Sequence, residues 1–552
     1  MTSRGRPKLR PFLALPALLT LAAASPIQAE PTFSAAAFKS HVAFLADDIL
    51  LGRRTGSPGH EVAVRYIAAQ FTALGLKPGG DNGTYFQRFG LAEISQVSPG
   101  WVTIGGPKGS RSWADGSDVV LRRVPGSPNP DVTAPLVFVG YGIDDPKHGH
   151  DDYRGLDVKG KIVVALANFP ASTPSEAGAY YAAEKRKMAS DRGAIGMIQI
   201  YSRDVAKIRP WPSVVRNARF AAVSWLEPDG KPHQDDGLKF IAYARGEAAE
   251  ALFAGASKSL TNILDTADKG APAGFALKTS AHAVDHTETH VISSANVVGI
   301  LPGSDPKLAA EYIVLSAHSD HIGITPASPS DTPATDRINN GALDNAAGIA
   351  TMIEVARAAT QAPDKPRRSL IFLASTGEEE GLLGADYYAR HPSVPIASIV
   401  GDVDLDMPLL LYHFADVNAF GADHSTIGST VAAAGKTMDV TLSPDPEPQE
   451  TVFVRSDHYM FVRQGVPAVF LATGWAGNGK AAWADFQAHH YHQPSDDMSQ
   501  PILWEEGARF ADINYRITRA MADGDQRPMW FQGDFFGNLF APTQPKAPVP
   551  GK

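Results

Sequence analysis

Four near-continuous apolar runs in the second half of the chain, at 312–317, 369–374, 396–403 and 468–471, leave few folds open. A half-exposed strand alternates apolar and polar residues. These runs do not, so both of their faces must be covered. Helical stretches at 346–360, 381–390 and 424–435 lie between them. Strand, loop and helix in repetition predict an α/β protein, a three-layer α/β/α sandwich around a mainly parallel, mixed sheet. In such open sheets ligands bind beyond the carboxyl ends of the strands, so the residues that follow each run are the candidate site.

Nearly all of those residues can hold a metal. Ala317 is followed by His318-Ser319-Asp320-His321, Ala374 by Ser375-Thr376-Gly377 and then Glu378-Glu379-Glu380, and Val403 by Asp404-Leu405-Asp406. Asp344-Asn345 stands in the long loop leaving the first run, just before a helix, and His492 lies in His489-His490-Tyr491-His492 after the last. Singly each has an ordinary explanation: a surface pair, a solvated helix start, an N-cap, an incidental histidine tract. Their joint placement at strand ends does not. The chain has no cysteine, which excludes disulfides, zinc-thiolate sites and a cysteine nucleophile together, so any metal is held by His, Asp and Glu. Two histidines and three carboxylates, one of them shared, make two sites of three ligands each, with open positions as catalytic zinc requires. Ions roughly 3.5–4 Å apart clamp a water, lower its pKa toward about 7 and polarise a scissile carbonyl. Adjacent Glu378 and Glu379 point in different directions, so one can ligate while the other passes a proton to the leaving amine. Asp320 is placed to orient the His318 imidazole. Tyr491 either donates to a developing oxyanion or is a packed aromatic.

The N-terminus carries Arg4, Arg6, Lys8 and Arg10, an apolar run from Pro11 to Ala24, and Ile27-Gln28-Ala29 at a cleavage position. This reads as a signal peptide over residues 1–29, too short and too interrupted by Pro16 to span a bilayer. Its removal takes the net charge from −9 to −13. The expectation is an exported protein, periplasmic or extracellular, with no membrane anchor after cleavage. An acidic chain without a basic stripe excludes nucleic-acid binding. At 552 residues the chain is long enough for two to four domains. The divisions expected after the signal are 30–130 as the N-terminal part of a discontinuous α/β domain, 131–285 as a β-rich insert, 286–525 as the part of the α/β domain that carries the candidate site, and 526–552 as a Pro-rich tail, disordered beyond Ala541.

Six stretches in order resemble the motifs of the di-zinc aminopeptidases, the family 28 metallopeptidases of clan MH. They are Ala317-His-Ser-Asp320, Asn340-Gly-Ala-Leu-Asp-Asn-Ala-Ala-Gly348, Gly377-Glu-Glu-Glu-Gly-Leu-Leu-Gly384, Leu405-Asp-Met407, Ser456-Asp-His458 with Gly465-Val-Pro467, and Tyr491-His-Gln-Pro494. Phe44-Leu-Ala-Asp-Asp48 with Gly52-Arg-Arg-Thr-Gly-Ser-Pro-Gly59 resembles the lead-in of longer bacterial members. Asp157-Val-Lys-Gly-Lys-Ile-Val163 and Gly193-Ala-Ile-Gly196 resemble their protease-associated insert. The resemblance implies two Zn²⁺ per chain, one on His318 and Asp406, the other on Glu379 and His492, with Asp344 bridging. It implies Glu378 as general base, Tyr491 as the oxyanion-side tyrosine and a cis bond between Asp344 and Asn345. Leu343, Asp404 and Pro408 depart from the family pattern without removing a ligand.

These readings converge on an exported zinc aminopeptidase acting on peptide or protein N-termini, its oligomeric state and preferred N-terminal residue left open. The alternatives are a carboxypeptidase or dipeptidase, for which Arg455 is the nearby carboxylate clamp, a glutaminyl cyclase of the same fold, and a non-catalytic binding protein.

Overall fold

The computed structural model describes residues 31–328 and 331–551, together with Met1, Thr2 and Gly5. The apolar core and cleavage position of the expected signal lie outside the described residues. No helix among the described residues is long and apolar enough to cross a membrane.

The apolar runs form the strands Tyr312–His318, Ser369–Ser375, Ile399–Asp404 and Ala468–Thr473, with every residue of the last three buried. They pair in parallel in the order 468–473, 399–404, 312–318, 369–375. Asp416–Phe420 adds antiparallel at one side and Val297–Leu301 at the other, so the sheet is mixed but mainly parallel. Neighbouring residues of one strand pack into different layers, as runs covered on both faces must. Leu315, Leu370 and Phe372 join one core with Phe71, Ile353 and Phe510, whereas Val314, Ile371 and Leu373 join another with Tyr388 and Phe461. The first layer is built by Pro58–Ala73, Ala347–Gln361 and Trp504–Asp523, the second by Leu383–Arg390 and His458–Arg463. Full burial of each such side chain contributes about 1.5–3 kcal/mol. Pro58–Ala73 starts where its chemistry dictates: the Ser57 side chain accepts from His60 N, and Pro58 occupies the first turn.

The 27-residue strand Phe275–Leu301 leaves this mainly parallel sheet and runs on into a second array. There it pairs with Phe86–Gly106 and with Asp131–Phe138, after which come Ile162–Leu166, Gly196–Ile200, Phe240–Ala244 and Val119–Arg122. This array has its own core, containing Phe138, Val164, Ile198 and Phe240. The division expected at 130/131 differs from this packing. Val102, Ile104, Trp113, Val119 and Leu121 belong to the second core, because the 21-residue strand Phe86–Gly106 reaches well beyond the first. Disorder beyond Ala541 is likewise corrected. Trp530 is 1% exposed, and the backbone of Ala547 exchanges hydrogen bonds with Trp530 and Gln532, so a buried tryptophan ties down the Pro-rich segment.

Candidate metal centre

Because the strands run parallel, their carboxyl ends gather at one edge, and the candidate residues gather with them. His318 ends its strand, with Nε2 3.1 Å from Asp406 Oδ1 and 3.3 Å from Asp344 Oδ1. His492 Nε2 lies 3.3 Å from the other Asp344 oxygen, Oδ2, and 3.1 Å from Glu379 Oε2. Asp344 therefore faces both groups, one oxygen to each. Among the described residues two sets of metal-ligating side chains each converge within 4.8 Å: His318, Asp344 and Asp406, and His321, Asp344 and Glu379. Glu378, at the start of the same turn, is partly buried. Tyr491 stacks on the His492 ring at a centroid distance of 3.8 Å.

The loops are held by a dense set of polar contacts. The Asp344–Asn345 peptide is cis. Asn345 Oδ1 accepts from Gly348 N and Met407 N at 3.0 and 3.2 Å, and Nδ2 donates to Leu405 O at 2.9 Å, joining the Asp344 loop to the Asp406 loop. Asp496 accepts from the backbone N–H of Leu343 and of Asp344 at 2.9 and 3.0 Å. Beneath the site the buried Arg53 guanidinium donates to the carbonyls of Ser319, Asn340 and Gly341, and to Leu45 in the lead-in helix. Arg53, Met407 and His492 all have left-handed backbone, with φ of 47°, 44° and 57°. Non-glycine residues there cost of order 1–3 kcal/mol each, a strain that the surrounding contacts must overcome.

Asp320 behaves differently from expectation. Its backbone carbonyl lies 3.3 Å from His318 Nδ1, while its carboxylate is 3.9 Å away. The carboxylate instead accepts from Thr55 Oγ1 at 3.0 Å and from Glu378 N at 3.3 Å. Asp320 therefore orients the imidazole through its main chain and the Glu378 turn through its side chain.

Electrostatics favour a bound cation. Burial, and then the neighbouring Asp406 and Glu379, push the Glu378 carboxyl well above its ordinary range, against an opposing pull from His318. Burial alone would lower the His318 imidazole, yet Asp406 and Asp344 hold it well above its usual value. Burial also raises the Tyr491 hydroxyl, with Asp344, Glu379 and Glu378 adding to it. Arg53 is the permanent cation that the acids Asp320, Asp344, Asp496 and Glu379 share. His492 Nε2 is buried and close to two carboxylate oxygens but makes no hydrogen bond. Against the effect of burial, Asp344 and Glu379 raise the His492 imidazole from 6.5 to about 10, so the site favours positive charge there, and imidazole nitrogen converging with carboxylate oxygens is a donor set that suits zinc.

All of the expected ligands come together here, as do Glu378, Asp320 and Tyr491. Arg455 donates to Glu450 O at 3.1 Å, and its charge still reaches the Tyr491 hydroxyl, opposing the rise in its pKa. Two residues were missed by motif reading. His321 stood in the quoted His318-Ser319-Asp320-His321 run without a role, and Arg53 stood in the lead-in. Strand-end placement could have flagged the first; no local pattern flags the second.

Residues 296–518 match the model of Peptidase family M28. A probable zinc metalloprotease of Pyrenophora teres f. teres is 33% identical over 118 residues, 21% of this chain and 23% of that protein. A vacuolar membrane protease of Yarrowia lipolytica is 36% identical over 97 residues, 18% of this chain and 8% of its own length. The chain thus spans less than a quarter of these curated relatives. The aminopeptidase from Aneurinibacillus sp. strain AM-1 superposes with a TM-score of 0.49 at 20% identity, covering 89% of this chain and 94% of that one. The expectation of a periplasmic or extracellular location is overturned. The Yarrowia lipolytica relative and those of Lachancea thermotolerans and Sclerotinia sclerotiorum are named vacuolar membrane protease.

Proposed function

Residues 296–518 of the chain belong to peptidase family M28, and on that premise we propose that the protein is a zinc-dependent aminopeptidase with a two-ion centre. One observation carries the reading: Asp344 offers one oxygen to a His318–Asp406 group and the other to a Glu379–His492 group, with Glu378 beside them uncommitted. His318 and Asp406 would hold one zinc, Glu379 and His492 the other, and Asp344 both. Bound zinc supplies Lewis-acid polarisation of the scissile carbonyl and acidifies water. The remaining steps belong to the chain. Glu378 takes the proton of the attacking water and delivers it to the leaving amine as the carbon–nitrogen bond breaks. Tyr491 donates to the oxygen on which charge develops. Asp320, through Glu378 N and the His318 imidazole, keeps base and ligand in register.

The parts of the chain on either side of the second array serve as one peptidase unit, and that array, with residues 102–121 in its core, as a protease-associated insert acting as a lid. The insert is braced against the peptidase by Asp235 and Glu184, which pair with Arg390 and Arg463 at 3.0 and 3.2 Å. Deleting it should change which N-terminal residues are accepted; an unchanged preference would count against a lid. A carboxypeptidase would need a cation for the substrate carboxylate, and its candidate, Arg455, is held by Glu450 only through an exposed pair.

The test compares free-amine with N-acetylated peptides, with and without chelator. Loss of the acetylated substrate and restoration of activity by two zinc ions per chain support the reading. Equal cleavage of the blocked peptide refutes aminopeptidase action, and under one zinc per chain in active protein refutes the two-ion centre.

A further inference from the structure

We propose that His321 is a positioning residue for the second cation, its Nδ1–H holding Glu379 Oε1 so that Oε2 is turned to the ion. The inference rests on the two-ion reading above. His321 is 1% exposed and follows the first ligand strand by three residues. Its backbone N–H donates to Arg53 O at 3.3 Å. Its ring lies flush against Gly341, where a Cβ would sit 2.7 Å from the imidazole Cγ and Cδ2. The ring plane is therefore set by packing against main chain, with no room to rotate toward that side.

Distances decide between a ligand and a hydrogen-bond donor. Zinc bound tetrahedrally by nitrogen and oxygen at about 2.0–2.2 Å places its ligand atoms roughly 3.3–3.6 Å from one another. His492 Nε2 comes within about 0.2 Å of that spacing to Asp344 Oδ2 and Glu379 Oε2, at 3.3 and 3.1 Å, and His318 Nε2 does the same to Asp344 Oδ1 and Asp406 Oδ1, at 3.3 and 3.1 Å. His321 Nδ1 does not. It is 2.7 Å from Glu379 Oε1 and 4.0 Å from Asp344 Oδ2. The first separation is that of a charge-assisted N–H···O⁻ bond, and the second exceeds a shared coordination edge. Moreover, His321 meets the glutamate oxygen that His492 does not meet. Carboxylates that ligate zinc are themselves oriented by such donors, which fix the rotamer and leave the other oxygen for the metal. The arrangement makes Glu379 one-sided: Oε1 anchored by His321, Oε2 presented beside His492.

Zinc affinity of the full-length apoprotein, measured by competition with a calibrated chelator, tests this without recourse to turnover. His321→Ala should weaken one of the two zinc ions about 10–100-fold, the usual effect of deleting a partner of a ligating residue, and leave the other unchanged. His321→Asn places an amide N–H where Nδ1 stands and should recover most of the loss. His321→Gln, whose amide reaches toward the Nε2 position, should not. Wild-type affinity in the Ala variant, or Asn as weak as Ala, overturns the proposal. A crystal structure of the zinc-loaded wild type reads the same question whether or not the variants fold. A zinc ion about 2.0–2.1 Å from either His321 nitrogen would make it a ligand and overturn the proposal; Nδ1 bonded to Glu379 Oε1 with zinc on Oε2 supports it. A wild-type chain that binds fewer than two zinc ions sinks the two-ion reading, and this inference with it.

Discussion

Replacing Arg53 by Met tests how the ligand loops are held together. The guanidinium is 1% exposed and donates from Nε to Ser319 O at 3.2 Å, from Nη1 to Asn340 O at 2.5 Å and to Leu45 O, and from Nη2 to Gly341 O at 3.1 Å. Gly341 O also accepts from Ala346 N at 3.1 Å and so keeps a partner. The Ser319, Asn340 and Leu45 carbonyls lose the guanidinium. Leaving a buried acceptor unmet costs about 1–3 kcal/mol, so three cost about 6 kcal/mol. Against this stands the desolvation of the cation itself, which pulls its pKa from 12.5 down to about 10, with Asp320 and Asp344 opposing the fall. Removing the charge recovers the corresponding energy, about 3 kcal/mol. The net expectation for Arg53→Met is a loss of about 3 kcal/mol, with both loops loosened at their roots. Guanidinium chloride unfolding of apoprotein, followed by the fluorescence of its eight tryptophans, reads the stability, and zinc retention on dilution reads the loops. The midpoint and retention should both fall. An unchanged or raised midpoint would show that water or rearranged main chain satisfies the three carbonyls, and the clamp reasoning would be wrong.

Three further outcomes follow from the geometry. His424 bonds Asp534 Oδ2 at 2.6 Å and Glu176 Oε2 at 2.9 Å, and although burial opposes it these acids raise its pKa from 6.5 to about 9. The native state thus keeps a proton that the unfolded chain releases, so about 3 kcal/mol of stability is present below pH 6.5 and is lost as pH rises through 9. Denaturant midpoints at pH 6 and 9.5 should show this in the wild type and not in His424→Gln; equal slopes contradict it. Gly348→Ala would put a Cβ 2.1 Å from both Asn345 Oδ1 and Leu405 O, so the Asn345 staple must break. Zinc content should fall with a cost of about 1–3 kcal/mol, and normal zinc binding would refute the staple. Tyr491→Phe should lower kcat about 10²–10³-fold with zinc content unchanged; a full kcat would leave Tyr491 as a packing residue against His492.

The parallel sheet was legible because its strands are apolar without alternation, and burial on both faces produces that pattern directly. The clustering of the candidate ligands was legible because parallel strands bring their carboxyl ends to one edge, so position along the chain translated into position in space. Arg53 was not legible: its partners are carbonyls at Ser319, Asn340 and Gly341, more than 260 residues away, and carbonyls carry no side-chain mark in a sequence. His321 stood in plain view but at the same spacing as many incidental histidines, and only its 2.7 Å contact with Glu379 gives it a role. The assignment of 102–121 to the second core failed to show because one strand of 21 residues passes from the first core to the second, and nothing in its composition marks the crossing. The tail beyond Ala541 misled because proline content speaks to local propensity, whereas Trp530 acts through tertiary burial.

Glu378→Gln tests the central claim most directly, because it removes the ability to accept a proton while keeping size, burial and the zinc ligands. Turnover of an aminoacyl-p-nitroanilide by zinc-loaded protein should fall about 10²–10⁴-fold, the range for losing a general base, with zinc stoichiometry and KM near those of the wild type. Near-full turnover at normal zinc content would contradict the account.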